Sequence, residues 1–192
     1  MFTCASTATA VCSVFISLAS TPPLLCHTSH LHVRILLSSA PTPVKYGIYP
    51  HYYTSPPQKA TFSDALRLAS EATFAGANGY LFTPNSYRDM LNIITSTTIR
   101  EMAWVGFTDQ AIEGTWVFAA GPHAGENITD LLWWEPSEPD GAATQNCAMY
   151  WYGQGLLGND ACSNKLRFII EFECPSGQQF NSAGTACVGM MP

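Results

Sequence analysis

His27, His30 and His32 lie within six residues, close enough along the chain for imidazole nitrogens to share a metal ion. Their surroundings, from Thr21 to about Pro43, are Pro, Ser, Thr and His in character and carry no sustained helical or strand period. Nothing rigid supports such a site, and the tract reads as solvated linker. Seven cysteines fall in three groups: Cys4, Cys12 and Cys26 at the start, Cys147 and Cys162 in the middle, Cys174 and Cys187 at the end. No two have CxxC spacing, which argues against tetrahedral zinc. The odd total leaves at least one thiol free, paired with another chain, or removed by processing. Catalytic patterns are absent: there is no HExxH, no Gly-rich phosphate loop and no GxSxG, and His123 has no evident nucleophile partner. An enzyme is not expected. Asn127, Ile128 and Thr129 form an N-glycosylation sequon. The formal net charge is -6, with 8 Lys and Arg against 14 Asp and Glu. That scarcity of cations argues against nucleic-acid partners, which draw affinity from basic clusters. Acidic composition suits a calcium site, which needs carboxylates held close together, and is equally ordinary for a soluble protein.

These groups need elements to position them. The 192 residues, 47% hydrophobic and 11% charged, can bury one substantial core with short appendages. Residues 1–20 hold an apolar run from Ala8 to Leu18 followed by small residues, so a signal peptide cleaved near Ala19 is expected, although no basic n-region precedes it. The run is too short, and too rich in Ser and Thr, to span a bilayer, where roughly 20 apolar residues are needed, and no other segment qualifies. Residues 21–45 form the linker. Order begins near Tyr46, where YGIYPHYYTS has the β-forming residues of a first strand. Phe62 to Phe74 places Phe62, Ala65, Leu66, Ala69 and Ala72 or Thr73 at helical spacing, with Thr61 or Ser63 as N-cap. GANGYL is expected to end that helix, Gly76 and Gly79 taking positive φ. A second helix starts at Asn85 or Ser86 and presents Tyr87, Met90, Leu91 and Ile94, both helices packing on one sheet. MAWVGFTD and EGTWVF are core strands, their aromatics structural. From Ala120 to Asp140 the chain becomes irregular, a length of loop usually functional or disordered. After Glu173, residues 174–192 change character to small polar residues and two cysteines.

The order and spacing of TFSDALRLASEATFAGANGYL, AWVGF, EGTWVF, EPDGAATQNC, GNDAC and FIIEFE resemble a C-type lectin-like domain, over about two thirds of the chain, residues 46–173. The resemblance implies an α+β fold of the double-loop kind, two helices packed on small antiparallel sheets with a long ligand loop, the first strand pairing with the last. The family usually closes its ends with a disulfide from first helix to last strand. Here those positions hold Ala69 and Ile170, two apolar side chains that can pack against each other. This paired absence, with FIIEFE, is similar to microbial and protist-type members. Cys147 and Cys162 match the family's short disulfide, and Cys174 with Cys187 resembles the opening of a cysteine-rich extracellular module.

Sugar-binding members of that family hold one Ca2+ ion with five side chains, and two vicinal sugar hydroxyls complete its coordination. A hard divalent cation takes six to eight oxygens, so carboxylates and amide carbonyls are the required types. The family tripeptide, Glu-Pro-Asn or Gln-Pro-Asp, sits four residues after a core tryptophan. Counting from Trp134 places it at Glu138, Pro139 and Asp140, the proline usually cis; Glu135-Pro136-Ser137 is a near duplicate at the wrong spacing. Gln145, two residues before Cys147, and Asn159 with Asp160, before Cys162, complete the set. The resemblance thus implies metal ligands Glu138, Asp140, Gln145, Asn159 and Asp160, the first four also contacting sugar. It implies a secreted or extracellular, calcium-dependent carbohydrate-binding module for recognition or adhesion, with a carbohydrate or glycoprotein ligand and with Asn127 glycosylated. The alternative is a calcium-independent protein-interaction or ice-surface-binding module on the same scaffold. Glu138 and Asp140 offer acceptors and Gln145 and Asn159 amides, an order matching neither mannose-type nor galactose-type members, so atypical selectivity among vicinal diols is expected.

Overall fold

The structure, a computed structural model, describes residues 41–46, 50–97, 99–128 and 133–190. The expected signal peptide, the three amino-terminal cysteines, the histidine tract and Thr129 of the sequon lie outside the described residues.

Strands β1 (Val44–Lys45) and β2 (Tyr52–Thr54) lead into helix α1 (Phe62–Ser70). Strands β3 (Thr73–Phe74) and β4 (Ala77–Leu81) follow, then helix α2 (Tyr87–Ser96), β5 (Ala103–Thr108) and β6 (Val117–Phe118). After the long loop come β7 (Cys147–Trp151), β8 (Leu156–Asp160), β9 (Arg167–Phe168) and β10 (Ile170–Glu173). The chain closes with β11 (Gln178–Phe180) and β12 (Cys187–Gly189). One sheet has the order β1-β2-β10-β4-β3; a second runs β6-β5-β7-β8, with β9 added in parallel to β5. β2 pairs with β10, Thr54 opposite Ile170, so the YGIYPHYYTS and FIIEFE segments meet as expected.

Both helices begin where the caps predict. Thr61 accepts from the Asp64 N–H and Ser86 from the Asp89 N–H, each satisfying an amide that the first turn leaves unpaired. α1 stops at Ser70, before Ala72 and Thr73, and GANGYL is not its terminating turn. Gly76 does take positive φ, +85°, but Gly79 lies inside β4. The reason is steric: a Cβ on Gly79 would sit 2.6 Å from the Ala69 carbonyl oxygen and 2.9 Å from the Ile170 side chain, so β4, beside its partner strand β10, packs tightly on α1. Ala69 and Ile170 are fully buried in one cluster on either side of that glycine.

The helices do not share one packing surface. α1 buries Phe62, Ala65, Leu68 and Ala69 with Leu81, Trp104 and Phe172, whereas α2 buries Met90, Ile93 and Ile94 with Val105, Phe107 and Tyr150. β5 serves both, because alternation sends Trp104 to one cluster and Ala103 and Val105 to the other. Trp104 also donates its indole N–H to the Ala60 carbonyl at 2.9 Å. Tyr87, expected on the buried face of α2, is 38% exposed, since the first turn projects beyond the core. Disulfides join Cys147 to Cys162 and Cys174 to Cys187. No helix among the described residues is long and apolar enough to cross a membrane.

Candidate functional site

The loop from Trp133 to Asn146 is laid against β8 by backbone. The Leu157 N–H donates to the Trp133 carbonyl and the Glu135 N–H to the Leu157 carbonyl, both at 2.8 Å, and Trp134 forms a parallel bridge with Leu157. Trp134 is anchored by Trp116, ring centroids 4.7 Å apart. A turn then brings the Glu138 N–H to the Glu135 carbonyl at 2.8 Å, which sets Glu138 to Asp140 over the end of β8. The Glu138–Pro139 bond is cis. In the near-duplicate triplet, Glu135 is committed locally, its carboxylate accepting from the Ser137 N–H and hydroxyl, which hold it below the usual carboxylate range.

Asn159 joins four of the five predicted residues. Its Nδ2 donates to the carbonyl of Asp140 at 2.7 Å and to that of Gln145 at 2.6 Å, and its Oδ1 accepts from the Asp140 N–H at 3.0 Å. The Asn159 backbone N–H donates to Glu138 Oε2 at 3.1 Å. Glycines make room: a Cβ on Gly141, at φ +73°, would fall 2.5 Å from the Gln145 side chain, and one on Gly158 would touch the Glu138 carboxyl group at 3.4 Å. Asp160 is bonded instead to its own flank, Oδ1 accepting from the Ala161 N–H and Asn164 Nδ2, each at 2.8 Å. β7 and β8 pair Cys147 with Asp160, so the Cys147–Cys162 bridge lies beneath the site.

Asn159 thus gathers the Glu138 carboxylate and the backbones of Asp140 and Gln145, while Asp160 stays outside their hydrogen-bond network. One expectation changes. Asn159 is only 4% exposed, and both N–H groups of its amide are spent on carbonyls, because a buried carboxamide must find partners inside the protein. Of the two predicted carboxamides, Gln145 is the partly exposed one. Among the described residues no three His, Cys, Asp or Glu side chains form a group that could hold a metal ion unaided. The donor types fit a hard, oxygen-seeking cation, with the carboxamide oxygens needed to complete the set.

Sequence reasoning passed over two residues beside this loop. Asp109 is 3% exposed; its Oδ2 accepts from the Gly114 N–H at 2.8 Å, and its Oδ1 is buried without a partner. Asn146 Oδ1 is likewise buried and unpaired, and the Asn146 carbonyl accepts from Thr108 Oγ1 at 2.6 Å. The available signal was an aspartate directly after the apolar run of β5. His123, exposed, pairs with Glu126 at 3.1 Å and lies against the Phe118 ring, centroids 5.6 Å apart. Asn127 is exposed, and its backbone bridges Val117.

The family model described as Lectin C-type domain matches residues 60–172, more than half of the chain. The chain belongs to the C-type lectin domain family. That is a family of lectin domains, not of enzymes. Among curated relatives, "Lectin BRA-3" of Megabalanus rosa is 26% identical over 130 residues, covering 65% of this chain and 75% of the relative. The bovine "C-type lectin domain family 3 member A" is 32% identical over 73 residues, 38% of this chain. The match spans only 34% of that bovine protein's length. Among solved structures, the mouse scavenger receptor C-type lectin carbohydrate-recognition domain superposes with a TM-score of 0.56 at 24% identity, covering 68% of this chain and 94% of that one. This last likeness concerns the fold of the C-type lectin domain alone. All three relatives come from animals and lend no support to the narrower microbial grouping.

Proposed function

We propose that this C-type lectin domain is a calcium-dependent carbohydrate-binding module acting outside the cell in recognition or adhesion. One observation carries the reading: Asn159 ties the Glu138–Asp140 turn to Gln145 at the end of β8, gathering oxygen-bearing side chains on an open loop. Glu138, Asp140, Gln145, Asn159 and Asp160 would hold the ion, which when bound supplies a Lewis-acidic partner for two neighbouring hydroxyls of a sugar. Glu138 and Asp140 accept hydrogen bonds from those hydroxyls and Gln145 donates. With the Asn159 amide committed to the backbone, donors are scarcer than acceptors, which favours weak or unusual selectivity among vicinal diols.

The narrower grouping rests on Ala69 and Ile170, which leave no cysteines for a bridge from first helix to last strand. Secretion rests on the two disulfides and the leader composition, and it would allow a glycan on Asn127. Glycosidase treatment of protein secreted from eukaryotic cells should lower its mass; an unchanged mass removes the glycan.

A glycan array probed with and without calcium tests the main reading. Binding that appears only with calcium, together with a melting temperature that rises in millimolar calcium and falls back with chelator, is the expected result. Asp160→Ala should abolish both. The second reading, a calcium-independent interaction module, is favoured by the satisfied state of the Asn159 carboxamide and by the separation of Asp160 from the network. A melting temperature indifferent to calcium and chelator would favour it.

A further inference from the structure

A groove of about 350 Å³ opens at the other end of the second sheet, lined by Lys59, Arg100, Glu101, Met102, Tyr152 and Leu166. The β7–β8 register pairs Cys147 with Asp160 at the loop end and Trp151 with Leu156 at the far end, so Tyr152, the next residue, lies about 16 Å along the chain from the site described above. Two cations pair with one carboxylate here, and a third lines the same groove without an acidic partner. Glu101 is ion-paired with Lys59 on one oxygen, and its other oxygen lies 3.7 Å from Arg167 Nη1. Arg167 is held in place by Ser55 Oγ at 3.0 Å. Arg100 is exposed, and its guanidinium bonds only the neighbouring Ile99 carbonyl, at 3.0 Å; among the described residues it has no acidic partner. In a chain with 8 Lys and Arg against 14 Asp and Glu, Lys59 and Arg100 in the groove lining, with Arg167 paired to Glu101, make a local reversal of charge.

The lining selects a kind of ligand. An uncommitted guanidinium prefers a planar or tetrahedral oxyanion, which it grips with paired N–H donors. Tyr152 is 45% exposed at the rim and presents a flat apolar face for a ring to lie on. Glu101, held between the cations, is an acceptor that a simple anion would avoid and that a hydroxyl would use. An anion, a ring with an apolar face and a hydroxyl donor occur together in an acidic sugar. The volume is within the range of small-ligand clefts. We propose that this groove is a second saccharide site, independent of calcium, in which Arg100 receives the carboxylate or sulfate, Glu101 accepts from a hydroxyl, and Tyr152 supports the ring. It does not rest on the calcium reading.

Titration calorimetry on the full chain in chelator tests it with four probes: a galacturonate oligomer, a sulfated galactan oligomer, a neutral galactan oligomer of equal length, and poly-glutamate. The expected result is binding of at least one acidic saccharide, weakened by added salt, with no binding of the neutral one. The uronate and sulfate arms separate the two sources of the anion. Arg100→Glu should weaken binding at least tenfold and Tyr152→Ala severalfold, with melting temperatures near wild type because both side chains are exposed, while Asp160→Ala leaves binding unchanged. Failure of both acidic saccharides to bind in chelator overturns the proposal, as does wild-type affinity in Arg100→Glu. Poly-glutamate binding as tightly as the saccharides would make the groove an acidic-peptide site and overturn it equally. Loss of calcium-dependent binding alone would bear only on the loop site.

Discussion

Asn159 and His51 show how single side chains decide this protein's behaviour. Asn159→Ala strips partners from the Asp140 N–H, the Asp140 carbonyl and the Gln145 carbonyl. Water reaches parts of this loop, so the cost should be about 1–3 kcal/mol in total. Urea unfolding in chelator should register it, and unchanged stability there would mean that the bonds are not holding the loop. His51 Nδ1 lies 2.6 Å from Glu171 Oε1 and its Nε2 lies 3.8 Å from Glu173, with Tyr53 and the Thr83 N–H also directed at Glu171. Burial works against the charged imidazole, but the hydrogen bond and charge of Glu171, then the charges of Glu173 and Asp89, outweigh it and raise the His51 pKa. A raised folded-state pKa contributes stability that is complete below about pH 6.5 and is lost as pH rises through the folded value. Burial also raises the Asp89 carboxyl, against the pull of the Asn85 N–H, and its contribution has the same sign. The melting temperature should therefore fall as pH rises above about 6.5, and His51→Gln should remove the larger part of that slope. An identical slope in the variant would exclude His51 as its source.

At the scale of elements, β4 is placed by what it lacks. Gly79→Ala drives a methyl group into the Ala69 carbonyl and the Ile170 side chain, both inside a packed layer, so a loss of about 1–3 kcal/mol is expected in denaturant titration. Stability equal to wild type would mean that α1 and β10 can separate freely. The Cys147–Cys162 bridge closes a segment with sequence separation 15, worth roughly 3 kcal/mol on chain-entropy reasoning. Replacing both by Ser should lower stability by about that amount and loosen the loop that carries Glu138 to Gln145. Caps and strand alternation were legible beforehand because they are local: Thr61 and Ser86 each bond an amide three residues on. The end of α1 was not legible. Ala72 and Thr73 continue the apolar spacing, yet β3 and β4 claim the chain first through pairing with each other and with β10.

Across the whole molecule, the carboxyl-terminal hairpin is docked rather than trailing. Phe180 packs against Tyr52 at 4.6 Å between ring centroids and against Phe74 at 6.1 Å, and the Cys187 N–H donates to the Ala75 carbonyl at 2.9 Å. Ending the chain after Glu173 should uncover Tyr52 and Phe74 and lower the melting temperature by several degrees, with one unfolding transition before and two if the hairpin were independent. The sequence by itself determined the family, both helix starts and the oxygen-bearing types at the candidate site, because each is written in residue identity and short spacing; the cysteine pairs it offered only through the family resemblance, and the fold closed them. Tertiary structure alone decided which cluster each helix faces, since two amphipathic patterns of the same period do not say what they will bury. It also committed the Asn159 amide to the backbone. And it brought Lys59, Arg100 and Tyr152 to one groove, a meeting of distant residues that arises only when β5, β7 and the segment before α1 converge.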